Sequence, residues 1–238
     1  MIKIITTSWD DGHKLDLKLA RLLDKYNLAA TFYIAPSQPG FERKDLLSEQ
    51  EIHFLSESFE IGGHTLHHPN LAQVPLPSAV DEIKAGKDWL ESIAGKEIQS
   101  FAYPYGAYTE PVQKAVIDLG FVVARTVERF SIAFPTDYSA LPTTVHVMNY
   151  KRDIKRFPKY RTINWQTLAR YFFDQTMKKG GVFHLWGHSW EVEKNNQWKN
   201  LEAIFEYISH REDVAYVSNG NLYKGFRKLI TEDGADQV

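Results

Sequence analysis

The sequence predicts an α/β fold built on a mostly parallel sheet. Short β-rich runs alternate with longer helical patterns along most of the 238 residues, as in a chain of βαβ units. Apolar residues make up 43% and charged residues 24%, which is ordinary for a globular domain and excludes a mostly disordered chain. About seven or eight such units would fit a closed or nearly closed barrel, and an open doubly wound sheet is the competing architecture.

In the first half of the chain, spacing and end signals locate each element. Leu15, Leu19 and Leu22 recur at helical spacing, and Ser48 with Glu51 forms a capping box that opens the next helix. A long amphipathic helix is closed by a glycine at position 95. In chain order this half predicts a strand at residues 2–9, a helix at 15–27, a strand at 30–34, a helix at 48–58, a strand at 59–63, a helix at 78–94 and a strand at 98–103.

The second half continues the alternation after one break. Gly120 ends a helix, and Gly180 with Gly181 ends another just before an apolar strand. Residues 131–164 lack clear periodicity and contain three prolines, so we expect a long loop or an irregular insertion there. The predicted elements of this half are a helix at 110–119, a strand at 121–125, a helix at 165–179, a strand at 182–186, a helix at 198–210 and a strand at 214–217.

The chain shows no internal repeat and no linker rich in glycine and serine. We therefore expect a single domain over residues 1–230, followed by a polar, acidic tail at 231–238. Basic residues gather in the irregular stretch, where a solvated face is favoured over a contact for an anionic substrate group. They are Lys151, Arg152, Lys155, Arg156, Lys159 and Arg161.

Charge and composition restrict the function. The net charge of −2 gives no electrostatic support for binding a polyanion such as nucleic acid. Because there is no cysteine, disulfides and cysteine nucleophiles are excluded, and any metal must be held by His, Asp or Glu. The sequence has neither a signal-peptide core nor a run of about 18 apolar residues, so we expect a cytoplasmic protein without a membrane span.

Acidic and histidine motifs follow two of the predicted strands. Asp10 and Asp11 stand side by side at the end of the first strand, although Asp-Gly is also a common turn signal, which is the favoured interpretation for this motif alone. His64 and His68 follow the third strand. On a helical turn their spacing would bring two rings close enough to share one ion, whereas a solvated surface pair is the alternative.

Aromatic motifs follow two other strands. Tyr103-Pro-Tyr105 leaves the fourth strand, either as a turn with packed rings or as a loop that lines a pocket. His184, Trp186 and His188 alternate along a later strand and share one face, which is unusual for a purely structural strand.

The joint placement of these motifs is more informative than any one of them. Each follows an apparent strand, so in a β/α architecture they converge at the C-terminal rim, where such folds carry their active sites. One aspartate and two histidines would make a three-ligand site with a position left for water. This is the pattern of a catalytic rather than a structural metal.

The motifs resemble those of the polysaccharide deacetylases, the NodB-homology proteins of carbohydrate esterase family 4. The resemblance implies a distorted, incomplete, TIM-like (β/α)7 barrel and the removal of an acetyl group from an N-acetylated sugar or glycan, with release of acetate and a free amine. It is carried by Ser-Trp-Asp10-Asp11-Gly, His64-Thr-Leu-His-His68-Pro, Phe-Ala-Tyr103-Pro-Tyr105-Gly and Leu-Trp186-Gly-His188.

The same resemblance implies roles for individual residues. Asp11, His64 and His68 would bind a divalent metal, most commonly zinc, with cobalt, nickel or manganese as alternatives. Asp10 would be the general base and His188 the general acid. The loop at Tyr105 would offer a backbone N–H to the oxyanion. The candidate substrate-binding residues are Tyr103, Tyr105, Trp186 and His184.

One position departs from the family pattern. The third motif usually opens with an arginine that pairs with the base, and Ala102 stands in its place. Arg125, at the end of the fifth strand, is our candidate for supplying this charge to Asp10, and a surface position is the alternative. His184 competes with His188 for the acid role. We favour His188 because it lies beyond the strand, at the rim.

Two other functions remain open at this point. Relatives of the family hydrolyse cyclic amides and ureides in an allantoinase-like branch, so another linear or cyclic amide is an alternative substrate. The missing motif arginine also allows a catalytically weakened protein that binds glycan without turnover. The sequence indicates neither the identity of the sugar nor an oligomeric state.

Overall fold

The structure is a computed structural model, which describes residues 1–148, 160 and 163–225. Its strands are β1 (Lys3–Asp10), β2 (Ala30–Ile34), β3 (Glu60–Gly63), β4 (Ser100–Ala102), β5 (Val123–Arg125), β6 (Val145–His146), β7 (Gly181–Gly187) and β8 (Ala215–Tyr216). Its α-helices are α1 (Asp16–Lys25), α2 (Glu49–Ser58), α3 (Leu76–Ala94), α4 (Glu110–Asp118), α5 (Trp165–Lys179), α6 (Ser189–Lys194) and α7 (Trp198–Ile208), and a further helical segment covers residues 219–225.

The strands form one parallel sheet that curls on itself. Its order is β5-β4-β3-β2-β1-β7-β6, and β8 pairs with the first part of β1. Between the edge strands β5 and β6, backbone bonds within residues 126–144 partly bridge the gap, as where Thr126 N–H donates to the Leu141 carbonyl. The result is a distorted, incomplete barrel with helices outside, as the sequence predicted, and not an open doubly wound sheet.

Local sequence signals explain where several elements begin and end. Ser48 and Glu51 form the predicted capping box at the start of α2, each side chain bonding the other's backbone N–H. Gly95 ends α3 in a left-handed conformation with φ 64°, which glycine adopts without a steric cost. Most predicted boundaries therefore agree with the structure to within a few residues.

The alternation of side chains along β1 separates an apolar outer layer from a polar interior. Trp9 points outward, and its ring meets Phe205 of α7 edge-on at 6.0 Å. Thr6 and Ser8 point inward, where Thr6 Oγ1 donates to Asn219 and Ser8 Oγ bonds His184 Nε2. Because one face of every strand lies under helices, the apolar layer supplies the burial and leaves the interior free for polar groups.

Hydrogen bonds fill the lower part of this interior. The Glu60 carboxylate accepts bonds from Thr31 Oγ1 at 2.6 Å, from Ser100 Oγ at 2.8 Å and from Gly220 N–H at 3.0 Å. These contacts join β2, β3 and β4 to the helical segment at 219–225. A buried carboxylate with several donors is satisfied rather than costly.

The structure differs from the sequence prediction at three elements. Strand β6 lies within the stretch predicted to be irregular, and no helix was predicted at α6, which follows β7 directly, or at residues 219–225. The predicted basic cluster and the tail at 231–238 lie outside the described residues. None of the helices in the described part of the chain is long and apolar enough to cross a membrane.

Gly62 makes room for the Tyr33 ring across the β2–β3 pair, and we predict that Gly62→Ala is destabilising. A Cβ at position 62 would lie 2.4–2.5 Å from two atoms of that buried ring. Because a packed ring cannot move without displacing its neighbours, we expect the free energy of unfolding to fall by about 1–3 kcal/mol. Urea unfolding would measure it, with Gly225→Ala as the control, since a Cβ there meets no atom within 4 Å. Equal stability of the two variants would contradict the prediction.

Candidate active site

The carboxyl ends of the strands open into a cleft of about 1110 Å³. The strand register places these ends at one level, with Asp10 of β1 opposite Tyr33 of β2, and Trp9 opposite Gly187 of β7. Arg125 and His184 lie beneath the cleft rather than in its lining. The sequence-predicted site residues that line it are Asp10, Asp11, His64, His68, Tyr103, Tyr105, Trp186 and His188.

Asp11, His64 and His68 form a cluster of three donors. The Nε2 atoms of the two histidines are 3.1 Å apart, and they lie 3.8 and 3.6 Å from Asp11 Oδ1. Donors at about 2.0–2.2 Å from one tetrahedral ion lie about 3.3–3.6 Å apart. The spacing and the donor set therefore fit a divalent cation.

Neighbouring groups orient these donors. His64 Nδ1 donates to the Ala102 carbonyl at 2.7 Å, which leaves the Nε2 lone pair directed at the cluster. Asp11 Oδ2 accepts a bond from Trp190 Nε1 at 2.8 Å, which leaves Oδ1 for the histidines. His64 and the Asp11 carboxylate are thus held by contacts of the kind that tune metal ligands.

The protonation states also suit a cation. Burial lowers the pKa of His64, and burial together with the nearby His64 ring lowers the pKa of His68 to about 4. Burial alone would raise the pKa of Asp11, but the charge on His188 and the other nearby groups outweigh it and lower that pKa. At neutral pH the site therefore presents two neutral imidazoles and one carboxylate, the forms that bind metals.

The backbone around these residues is left-handed at several positions, which the sequence did not predict. Asp11 has φ 89°, Thr65 has φ 68°, His68 has φ 55° and Tyr105 has φ 58°. The His64–His68 segment is a loop rather than a helical turn, and the loop still brings the two rings together. Strained residues of this kind cost on the order of 1–3 kcal/mol each and cluster at functional sites.

Helix α3 supports the histidine loop from outside. A Cβ at Gly86 would lie 2.6 Å from the carbonyl carbon of Thr65, so only glycine allows this close approach. Four residues earlier, Glu82 Oε2 accepts bonds from the backbone N–H groups of Leu66 and His67. A glycine inside a helical pattern was the sequence signal that could have pointed to this contact.

Asp10 is paired with a fully buried arginine. Arg125 Nη2 donates to Asp10 Oδ2, and the guanidinium lies 4.4 Å from the Trp186 ring centre and 5.3 Å from that of Tyr33. Arg125 is 0% exposed, which excludes the surface alternative. In the sheet, Arg125 is the direct partner of Ala102. The charge absent at position 102 is thus supplied from the adjacent strand.

His188 lies close to the carboxylates of both Asp10 and Asp11. Its Nε2 is 4.0 Å from Asp10 Oδ2 and 3.9 Å from Asp11 Oδ2, and its Nδ1 bonds Glu191 Oε2 at 2.7 Å. Burial opposes the charged form, but Asp11, Glu191 and Asp10 outweigh it and raise the pKa of His188 to about 9. The ring is therefore protonated at neutral pH.

The candidate substrate-binding residues differ in access. Tyr105 is 54% exposed, and its ring lies 4.7 Å from that of His68. Trp186 and Tyr103 line the cleft with only a small exposed area, and the Tyr103 hydroxyl donates to the Ser139 carbonyl. The prediction that His184 contacts the substrate is wrong. This residue lies two positions before Trp186 on β7, is buried below the cleft and is bonded to Ser8.

Sequence reasoning missed several residues of the site. Phe41 and Trp190 form an aromatic wall with ring centres 5.6 Å apart, and both line the cleft. Glu191 and His146 lie behind His188. The alternating run Thr-Val-His-Val around position 146 was a strand signal, and the i,i+3 spacing of His188 and Glu191 would have brought them together had a helix been predicted at 189.

The fold and the position of the cleft define an incomplete β/α barrel with its candidate active site at the carboxyl ends of the strands. More particularly, residues 2–124 match the family model described as polysaccharide deacetylase, and the chain belongs to that family.

Curated relatives match part of the chain. It is 28% identical over 113 residues to a peptidoglycan-N-acetylmuramic acid deacetylase of Bacillus subtilis, a match that covers 47% of this chain and 23% of the relative. It is 26% identical over 127 residues to a peptidoglycan-N-acetylglucosamine deacetylase of Bacillus cereus, covering 51% and 43% respectively. The chain thus spans less than half the length of these relatives.

Several solved structures match over nearly the whole chain, and one of them is described as a polysaccharide deacetylase. It comes from Mycobacterium smegmatis and covers 95% of this chain and 90% of its own, with a TM-score of 0.71 and 15% identity. At this identity the likeness shows the fold alone.

We predict strong energetic coupling between Asp10 and Arg125. Removing one member of a buried ion pair leaves an uncompensated charge, which costs about 3–5 kcal/mol. We therefore expect Asp10→Asn and Arg125→Leu each to be strongly destabilising, and the double variant to be more stable than their sum implies by about 1–3 kcal/mol. Urea unfolding of the four proteins gives the coupling directly. Additive effects would show that the pair contributes nothing.

Proposed function

We propose that this protein is a metal-dependent hydrolase that removes the acetyl group from an N-acetylated sugar or glycan, producing acetate and a free amine. Family membership supports the reaction class. The observation that carries the proposal is the meeting of the Asp11–His64–His68 cluster, the Asp10–Arg125 pair and His188 around one cleft. Residues 1–230 would act as a single catalytic domain.

Asp11, His64 and His68 would hold the metal, with zinc as the first candidate and cobalt, nickel or manganese as the alternatives. A bound ion would polarise the acetyl carbonyl and lower the pKa of the attacking water. The chain's own contribution is to keep the two imidazoles neutral and the carboxylate ionised, as their pKa shifts indicate.

Asp10 is the proposed general base. Its Oδ2 is held by Arg125, whereas its Oδ1 makes no hydrogen bond within the part of the chain that the structure describes. Oδ1 is therefore the atom that we expect to take the proton from the water as its oxygen attacks the acetyl carbon. Arg125 keeps the carboxylate in one orientation throughout, because the guanidinium is itself packed between two rings.

His188 is the proposed general acid. Glu191 accepts its Nδ1–H, so the protonated Nε2 points into the cleft and toward the two aspartates. When the C–N bond breaks, Nε2–H would pass its proton to the leaving nitrogen, and the second product would be the free amine. The left-handed turn at Tyr105 would supply a backbone N–H to the oxyanion.

Aromatic side chains on both sides of the cleft suit a sugar ring. Tyr105 stands on the side of His68, and Phe41 with Trp190 forms the facing wall. Trp186, and to a smaller extent Tyr103, would complete the floor. Flat apolar faces of this kind bind the C–H faces of pyranose rings and leave the polar edges in water.

Metal-dependent acetate release is the test of the proposed function. Protein stripped by a chelator and reloaded with Zn²⁺ should release acetate from N-acetylglucosamine oligomers or from peptidoglycan. His64→Ala should lose both the ion and the activity, whereas His67→Ala, which alters an exposed histidine bonded to Glu82, should keep both. Ring opening of a cyclic ureide without acetate release would indicate the cyclic-amide branch, and glycan binding without turnover would indicate a binding protein.

Asp10→Asn should separate the base from the metal ligands. The amide cannot accept the proton, so we expect kcat to fall by about 10²-fold or more, the usual scale for a general base. Zinc content, measured on the purified variant below its unfolding temperature, should stay at the wild-type value. Loss of the ion together with the activity would instead make Asp10 a metal ligand.

Glu191→Gln should move the alkaline limb of the pH–rate profile. The carboxylate favours protonated His188, so its removal lowers the pKa of that ring, and activity is lost at a lower pH by about one unit or more. Glu193→Gln is the matched control, because Glu193 also lines the cleft but bonds Lys18 and Trp198. An unmoved limb in Glu191→Gln would exclude this role for Glu191.

A further inference from the structure

A second group of potential metal ligands lies behind His188, on the side away from Asp11. His188 Nδ1 and Glu191 Oε2 are 2.7 Å apart, and His146 Nε2 is 3.4 Å from each of them. His146 is on β6, and His188 directly follows the adjacent strand β7. Glu191 is in the first turn of α6. The three atoms are thus held by regular elements rather than by a loose loop.

We infer that His146, His188 and Glu191 form a second cation site, suited to zinc or a similar borderline transition metal, whose occupation inhibits the enzyme. The inhibitory part of this inference rests on the proposed function, because it assumes that His188 is the acid.

The geometry of this group is close to that of the first cluster. Its donor separations of 2.7–3.4 Å compare with 3.1–3.8 Å among Asp11, His64 and His68. Both sets lie near the spacing of about 3.3–3.6 Å that donors around a tetrahedral zinc ion adopt. The composition is also the same, two imidazoles and one carboxylate, which are ordinary zinc ligands.

His146 is prepared to act as a ligand. Its Nδ1 lies 3.3 Å from the Met148 carbonyl, which can only accept a hydrogen bond, so the Nε2 lone pair is directed at the group. The ring packs edge-on against Trp186 at 4.3 Å. Burial, with the charges of Arg129 and His188, lowers the pKa of His146 well below its usual value.

Occupation of the site would block proton donation. An ion on Nδ1 replaces the proton that His188 shares with Glu191, so the imidazolium can no longer form. The remaining Nε2–H of a neutral, metal-bound ring is a much weaker acid than an imidazolium, and the leaving amine would stay unprotonated. Of the three residues only His188 lines the cleft, so an ion that enters from the cleft would have to pass this ring.

The second site should be the weaker one. The ion must break the 2.7 Å hydrogen bond between His188 and Glu191, and it must bind near two other cations, Arg125 and Arg129, whose charges act on His146. In the first cluster the internal contact is the longer one of 3.1 Å between the two Nε2 atoms, and the donors are oriented by Ala102 and Trp190. We therefore expect occupation only when zinc is in excess.

Zinc binding measured by equilibrium dialysis tests the inference. Wild-type protein should bind one ion tightly and a second more weakly. His146→Phe, which preserves ring packing on Trp186 but removes the nitrogen, should bind only the tight ion. Glu191→Gln, which preserves the size of the side chain, should weaken the second ion at least about tenfold. His67→Phe is the matched surface control and should keep both ions.

Further outcomes separate this inference from the proposed function. His64→Ala should lose the tight ion and keep the weak one. If it keeps the tight ion, the proposed metal site is wrong, whatever happens to the second. If wild type binds a single ion that His64→Ala removes, or if His146→Phe still binds two, the second site does not exist.

Inhibition of acetate release by excess Zn²⁺ should follow the occupancy of the weak ion and need about tenfold more zinc in Glu191→Gln. Inhibition unchanged in that variant would overturn the inhibitory role.

Discussion

A buried guanidinium beneath the cleft is the constraint on which the rest of the site depends. Arg125 has no exposed surface, and a charge so placed is tolerated only if it is paired and hydrogen-bonded. Asp10 supplies the opposite charge, and Trp186 and Tyr33 supply aromatic faces on either side. The Tyr33 ring fits only because position 62 carries no Cβ. One cation therefore accounts for an acid on β1, two rings on β2 and β7, and a glycine on β3.

The charges of the site alternate outward from this arginine. Asp10 bonds Arg125 and lies 4.0 Å from His188, which in turn bonds Glu191 at 2.7 Å. Each ionised group thus has a neighbour of the opposite sign, which is how several buried charges coexist in one small volume. Asp11 stands beside this series, 3.9 Å from His188 and turned toward two neutral histidines. Its Oδ2 bonds Trp190 and lies near His188, so Oδ1, which faces the two histidines, is the oxygen suited to hold an added cation.

The sequence predicted the sheet and the rim, because periodicity reports strands and because parallel strands all end at one face. It did not predict the geometry that makes the rim a site. The left-handed backbone at Thr65 and His68 depends on contacts with α3, and the meeting of Glu191 with His188 depends on a helix of only six residues. Arg125 could be proposed from its place at a strand end, but its partner is set by the register of β4 and β5, which pairs it with Ala102. Long-range register of this kind is not encoded in any local pattern.

Position along a strand also determines which histidine of β7 can carry a proton. Residues two positions apart in a strand are separated by about 6.6 Å. His184 therefore lies well below Trp186, on the side away from the cleft, and His188 lies well above it, although all three share one face. Below, burial and the positive charge of Arg125 lower the pKa of His184 to about 3, and its ring is bonded to Ser8 inside the barrel. Above, burial is outweighed by three carboxylates, which raise the pKa of His188 to about 9. The same strand therefore presents a neutral imidazole on one side of the buried cation and a charged one on the other, and only the charged one lines the cleft. This is why we propose His188, and not His184, as the acid: the ring that can hold a proton at neutral pH is also the ring that lines the cleft.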